Sequence, residues 1–192
     1  LQLPYDEPKT WEQAWYHPDP YQRKMWRAAI MKEWNDMKKR NVWIVQKRCD
    51  MPKDRRCVKS KWVFKLKRNG VFRARIVACG FSRIPGVDFE ESYSPVMNDI
   101  TLRILLVIWI VMTLKAIIAD VENAFLYGKL LEVIFMECPP GMMGTTKDDV
   151  LRLLMCIYGL VQAAARYYAY MAKTLRSMGF KGGDVDPCLF VK

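Results

Sequence analysis

Apolar residues recur along this chain in two rhythms. Between positions 19 and 40, Trp26, Ile30, Trp34 and Met37 fall at three- and four-residue spacing, which predicts a helix with one apolar face. Asp19 followed by Pro20, with Gln22 three residues after the aspartate, predicts its start: an N-cap, a proline in the first turn and a capping-box partner. Residues 42–45 predict a short strand. Residues 62–67 (WVFKLK) and 71–77 (VFRARIV) instead alternate apolar with polar, the period of a half-buried strand.

The turn between these two runs decides which side chains share a face. If Arg68-Asn69-Gly70 is a three-residue loop with Gly70 in the left-handed position, paired residues have numbers that sum to 138. Trp62, Phe64, Leu66, Phe72, Ala74 and Ile76 then lie on one face, and Lys65, Lys67, Arg73 and Arg75 on the other. A two-residue Asn69-Gly70 turn would mix Arg73 and Arg75 among the aromatics, so burial selects the first register. The predicted object is a hairpin roughly 20 Å long, apolar beneath and cationic above. Such an object is suited to gripping phosphates.

Further along, Asn98 or Asp99 caps a strongly apolar helix that ends near Lys115. Its uncharged run over 104–114 (ILLVIWIVMTL) has eleven residues; a membrane span needs about 20, so the run reads as a buried helix. Residues 117–119 predict a short buried strand leading to Asp120. A carboxylate there either caps the following turn or holds a metal ion, and the residues alone leave both open. The chain turns over across 126–133 through Gly128. Residues 133–137 and 150–157 predict strands, separated by the breaker Pro139-Pro140-Gly141, and a helix over 161–178 closes at Gly179.

With 192 residues, 52% of them hydrophobic and 27% charged, the chain can bury a core as one domain or as two lobes that share one. A single histidine, His17, argues against a Ser-His-Asp triad, an HExxH zinc site or a Cys2His2 finger. Six cysteines without a CxxC pair read as reduced thiols of an intracellular protein, cytoplasmic or nuclear. The first seven residues lack the basic and apolar regions of a signal peptide, which predicts a protein that is not secreted. Starting at Leu rather than Met, the chain is expected to be an excerpt of something longer.

Charge changes the picture more. The net charge is +11, and residues 38–75 alone hold fifteen Lys/Arg against two acids, so the rest is near neutral. Such a concentrated basic face predicts a polyanionic partner, nucleic acid ahead of an anionic membrane. A solvated surface with a flexible basic loop near 49–60 is the alternative that charge alone leaves standing.

A series of motifs then follows in order: Lys61-Trp62-Val63-Phe64-Lys65, Arg73-Ala74-Arg75-Ile76-Val77-Ala78, Gly80-Phe81, Pro85-Gly86-Val87-Asp88-Phe89, Tyr93-Ser94-Pro95-Val96, Asp120-Val121-Glu122-Asn123-Ala124-Phe125-Leu126 and Tyr158-Gly159-Leu160. The series resembles the reverse transcriptase of copia-type LTR retrotransposons, whose pattern reads KWVFK, RxKARLVAKGF, GxDYxETFSPV, DVxNAFLxG and SLYGLKQAPRxWY. The likeness runs from about position 11 to 190.

This resemblance implies an α+β fold, the fingers and palm of a right-hand polymerase, with an antiparallel sheet, packed helices and the basic hairpin in the fingers. Residues 11–96 would form the N-terminal helix and fingers hairpin, and 97–192 the fingers and palm core. The implied activity is RNA-directed DNA synthesis on an RNA template, a DNA primer and dNTPs, within a longer Pol polyprotein and without a membrane partner. Lys65, Arg73 and Arg75 would meet the template or the incoming triphosphate. Asp120 matches the first metal-binding, catalytic aspartate, and Phe125 the aromatic under the nucleotide sugar. Tyr158, Gly159 and Gln162 match the segment supporting nucleotide and template.

Such polymerases use two Mg²⁺ ions about 3.5–4 Å apart, held in part by two aspartates of a YxDD hairpin that this sequence does not contain. Asp148-Asp149 follow a polar loop rather than sitting between apolar strands, and so are not read as a substitute. Cys79 and Val161 replace family lysines, Ala164 a proline, and Lys129 an acid. The expectation is a catalytically incomplete chain in which Mg²⁺ is not properly bound, with a non-enzymatic nucleic-acid-binding remnant of a degenerate element as the alternative.

Overall fold

The computed structural model describes residues 5–80 and 93–192. Positions 1–4, Phe81 and the 85–89 motif lie outside the described residues.

Helix α1 (Trp11–Trp15), capped by Thr10, leads into α2 (Pro20–Lys39). Asp19 caps α2 as its sequence predicts: its carboxylate accepts the Gln22 backbone N–H at 2.7 Å. The reciprocal half of the capping box does not form. The Gln22 side chain accepts instead from the Asp6 backbone N–H at 3.2 Å and ties the N-terminal segment to the helix. Trp26, Ile30 and Met37 are buried on one face of α2, and Glu33 is buried on the same stripe.

Strands β1 (Trp43–Lys47), β2 (Cys57–Val58), β5 (Lys129–Glu137) and β6 (Asp149–Met155) form a sheet in the order β1-β6-β5-β2. Both β1 and β5 run antiparallel to β6, whereas the two residues of β2 run parallel to β5. Strand β5 begins four residues before the predicted 133–137, and its ladder shifts register between Lys129 and Ile134.

Strands β3 (Ser60–Leu66) and β4 (Phe72–Ala78) form the hairpin in the expected register, with Lys65 opposite Arg73 and Trp62 opposite Ile76. Gly70 takes the left-handed position at φ 79°. The aromatic underside packs on α2, where the Trp26 ring meets Phe64 at 5.5 Å and Phe72 at 4.6 Å, both edge-on. Burying each such ring contributes about 1.5–3 kcal/mol. Helix α4 (Ala163–Ser177) and a two-stranded ribbon of β7 (Lys181–Gly182) and β8 (Phe190–Val191), which the residue pattern did not announce, complete the α+β architecture.

Two expectations fail together. Helix α3 (Asp99–Val111), capped by Asn98, buries none of its residues, and 117–119 form no strand: Ile117 and Ile118 are 92% and 99% exposed. A strand exists only where a neighbour takes its backbone N–H and C=O groups. Among the described residues no strand pairs with 117–119, and α3 is left without the layer it would cover. Asp120 therefore lies in an exposed segment without regular structure rather than at the end of a buried strand.

Candidate functional site

Two donors on the free edge of β4 are taken by other elements. The Ile76 N–H donates to the Glu33 carboxylate of α2 at 3.2 Å, and the Ala78 N–H donates to the Tyr158 carbonyl at 2.8 Å. This second bond brings the Tyr158–Gly159 turn hard against the hairpin. Gly159 sits at φ 89°, and an added Cβ would run into the Ala78 carbonyl oxygen and the Val77 side chain. Glycine is required there on both counts. Docked this way, the Tyr158 ring lies under Arg75, whose Cζ is 4.2 Å from the ring centroid. Phe125 packs edge-on against Tyr158 at 5.1 Å and against Tyr167 at 6.4 Å.

Two polar contacts tie residues 120–125 to α2. Lys32 Nζ meets Glu122 Oε1 at 2.7 Å, and Asn123 Nδ2 donates to Asp36 Oδ2 at 2.9 Å. Asn123 holds a left-handed φ of 53°, which short polar side chains tolerate. The result is a cavity of about 580 Å³ walled by α2, β4, residues 120–125 and Tyr158. Lys32, Lys67, Arg73 and Arg75 face it, and so do Glu33, Asp36, Asp120 and Glu122.

The acids differ in their environments. Burial pushes the Glu33 carboxyl up to about 7, against the Ile76 N–H and the charges of Arg75 and Arg73. The Glu122 carboxyl is held below its usual range by its bond to Lys32. The Tyr167 phenol is pushed up by burial and then by the charge of Asp120.

A family model described as "Reverse transcriptase (RNA-dependent DNA polymerase)" matches residues 40–192, from the end of α2 through the hairpin, the cavity wall and α4. The chain belongs to this reverse transcriptase family. It is 33% identical over 97% of its length to the Retrovirus-related Pol polyprotein from transposon TNT 1-94 of Nicotiana tabacum. To the corresponding polyprotein from transposon RE1 of Arabidopsis thaliana it is 31% identical over 96%. To the Transposon Ty1-DR5 Gag-Pol polyprotein of Saccharomyces cerevisiae it is 28% identical over 98%. It spans between 11% and 14% of the length of these curated relatives. No solved structure matches it.

Within this reverse transcriptase domain, Arg73, Arg75, Asp120, Phe125 and Tyr158 converge on the one cavity. Lys65 does not. Its ammonium is 3.1 Å from Glu7, whose other oxygen accepts the Leu66 N–H at 2.8 Å, and Lys67 takes the cavity-facing place instead. Gly159 contributes backbone shape. Gln162 is fully buried, in keeping with a supporting rather than an exposed position. Beside it, the Glu132 carboxyl stays below its usual range because its own N–H, Arg166 at 3.1 Å and the Gln162 amide outweigh the cost of burial.

Glu33 and Asp36 escaped the sequence reading, although Glu33 at helical spacing among Trp26, Ile30 and Met37 was a visible signal. Asp149 closes a loop: it accepts the Thr146 N–H at 2.7 Å and the Thr146 hydroxyl at 2.9 Å, and it meets Lys47 at 2.7 Å. Lys47 first and Thr146 next hold its carboxyl down to about 2.

Reverse transcriptases generally use Mg²⁺. Among the described residues no three His, Cys, Asp or Glu side chains converge to hold an ion. In the cavity Glu33, Asp36 and Glu122 are engaged by Ile76, Asn123 and Lys32, which leaves Asp120 as a lone carboxylate. The described residues thus do not fit a two-ion cage. Among the described residues no helix is long and apolar enough to cross a membrane.

Proposed function

We propose that this chain is the substrate-gripping part of a copia-type RNA-directed DNA polymerase, with the N-terminal helix and fingers hairpin at about 11–96 and the fingers and palm core at about 97–192. The observation that carries this reading is that Arg73, Arg75, Asp120 and Phe125, distant in sequence, face one cavity of about 580 Å³. Arg73, Arg75 and Lys67 take the phosphates of an incoming dNTP. Arg75 is held for this by the Tyr158 ring beneath it, an arrangement worth about 0.5–2 kcal/mol as a cation–π contact. Phe125, braced by Tyr158 and Tyr167, lies under the sugar, where a 2′-hydroxyl would clash with the ring and deoxynucleotides are favoured. Asp120 stands at the same cavity as one member of a metal-binding set. Its partners in function are an RNA template, a DNA primer and the rest of the Pol polyprotein.

Alone, the chain binds without turnover, because one free carboxylate does not organise phosphoryl transfer. A primer-extension assay with Mg²⁺, dNTPs and an RNA template tests this, beside a binding titration of the same primed template. The expected result is salt-sensitive binding with no extension, and binding that weakens in Arg73→Ala/Arg75→Ala. Binding that ignores both arginines would overturn the site, and robust extension would overturn the claim of incompleteness. The lone carboxylate, with Cys79 and Val161 in place of family lysines, also favours a second reading: a binding remnant of a degenerate element. Fusing the downstream segment of an active relative separates the two, since restored extension marks a polymerase part and none marks a remnant.

A further inference from the structure

A second cavity, of about 700 Å³, lies beyond the first, between the end of α2, the 124–127 turn, β5 and α4. Arg40, Lys129, Arg166 and Lys173 line it, and no acid does. Arg166 is paired with Glu132, and Arg40 lies 3.9 Å from Asp36. Lys129 and Lys173 form no ion pair among the described residues. Between the cations the rings of Tyr127 and Tyr170 stack at 5.3 Å and 25°, and the Arg40 guanidinium lies 5.3 Å from the Tyr127 centroid. Tyr170 is 41% exposed, so the stack has room for another flat group.

The two cavities adjoin. Asp36 lines the first, and Arg40, one helical turn further along α2, lines the second. Phe125 and Tyr127, two residues apart in one 3₁₀ turn, face one each. On α4, Tyr167 meets Phe125 and Tyr170 meets Tyr127, so one helix face carries a ring to each cavity.

We propose that the second cavity is a subsite for single-stranded nucleic acid continuing past the nucleotide cavity, with an unpaired base on Tyr170 and phosphates on Lys129 and Lys173. The inference rests on the polymerase reading above and extends it. Cations beside exposed rings are what a single strand needs, since every base offers a flat face and every phosphate a charge. An acidic peptide would use the lysines but has no use for the stacked pair or for its place beside the first cavity.

The test measures binding of labelled oligothymidylates, about 4 and about 12 nucleotides long, to the intact chain by fluorescence anisotropy. Tyr170→Ala is expected to weaken the longer strand about tenfold and leave the shorter one unchanged, whereas Tyr170→Phe keeps full affinity. Lys129→Ala/Lys173→Ala is expected to lower the slope of log affinity against log salt by about 1.4, at ~0.7 per phosphate. If Arg73→Ala/Arg75→Ala weakens both strands while the Tyr170 and lysine variants change neither, the subsite is refuted and the nucleotide cavity stands. If no variant changes either strand, both are refuted. If polyglutamate displaces the longer strand from the wild-type chain but not from Lys129→Ala/Lys173→Ala, and Tyr170→Ala has no effect, the groove takes acidic peptides instead.

Discussion

The β3–β4 hairpin and the stretch from α3 to Asp120 are both strongly apolar, yet they meet opposite fates. In the hairpin Trp62, Phe64, Phe72, Ala74 and Ile76 are all at most 7% exposed, sealed against α2. In α3 and the residues after it, the side chains of Ile104, Val107, Ile110 and Val111 are more than half exposed. Alternation and periodicity state what an element would bury, and only a partner surface decides whether it does. The hairpin has α2 as its partner. The α3 segment has no such layer among the described residues.

The sharpest way to break this comparison is to remove one side chain from each region. Trp26→Ala, under the hairpin, is expected to cost about 3–5 kcal/mol. Ile110→Ala in α3 should fall within about 0.5 kcal/mol of wild type. Urea denaturation of both variants decides the matter, and equal losses would mean that α3 is buried in solution.

Next in size is Glu33, the carboxyl beneath β4. Its folded value of about 7 lies above its ordinary 4.5. The folded state therefore binds more protons than the unfolded state between those values, and stability falls as pH rises through that window, by about 3 kcal/mol at most. Glu33→Gln keeps an oxygen for the Ile76 N–H and removes the titration. Its melting temperature should exceed wild type at pH 8, and the two should converge near pH 4. An unchanged pH profile would place Glu33 in water.

Gly159→Ala tests how the hairpin is held to the Tyr158 turn. The strained φ alone is worth about 1–3 kcal/mol, and the shift forced by the Ala78 oxygen should loosen the Arg75–Tyr158 contact. Thermal melting reads the first effect and nucleotide affinity the second. The smallest effect is at the acid limit. The Asp149 carboxyl, held down to about 2 by Lys47 and Thr146, supports the fold above its ordinary 3.8 and loses that support as pH falls toward 2. Asp149→Asn should flatten the acid limb of a stability–pH curve while leaving nucleotide binding untouched.

How far each part was legible follows from where its information lies. The hairpin register was readable because Gly70 and the alternation of Trp62–Phe64 with Lys65–Lys67 are local. Arg73, Arg75, Asp120, Phe125 and Tyr158 were readable as a set only through the family motifs, since nothing local links position 75 to position 158. The pairing of Lys65 with Glu7 and the burial of Gln162 were not legible, because both are set by residues remote in sequence. Glu33 was missed because a carboxylate on an apolar stripe has meaning only once the free edge of β4 lies above it. The 117–119 strand failed for the same kind of reason, since no described strand lies beside it to pair with.

The most direct test of a shared cavity is dNTP affinity in EDTA, compared between wild type, Arg75→Ala and Asp120→Asn. If the carboxylate and the guanidinium face one bound triphosphate, removing the cation weakens binding. Removing the anion then tightens it by a few-fold, the size of about 1 kcal/mol between charges in a hydrated cleft. An Asp120→Asn variant that binds no better than wild type, while Arg75→Ala binds worse, would contradict the account, because the two groups would then face different spaces.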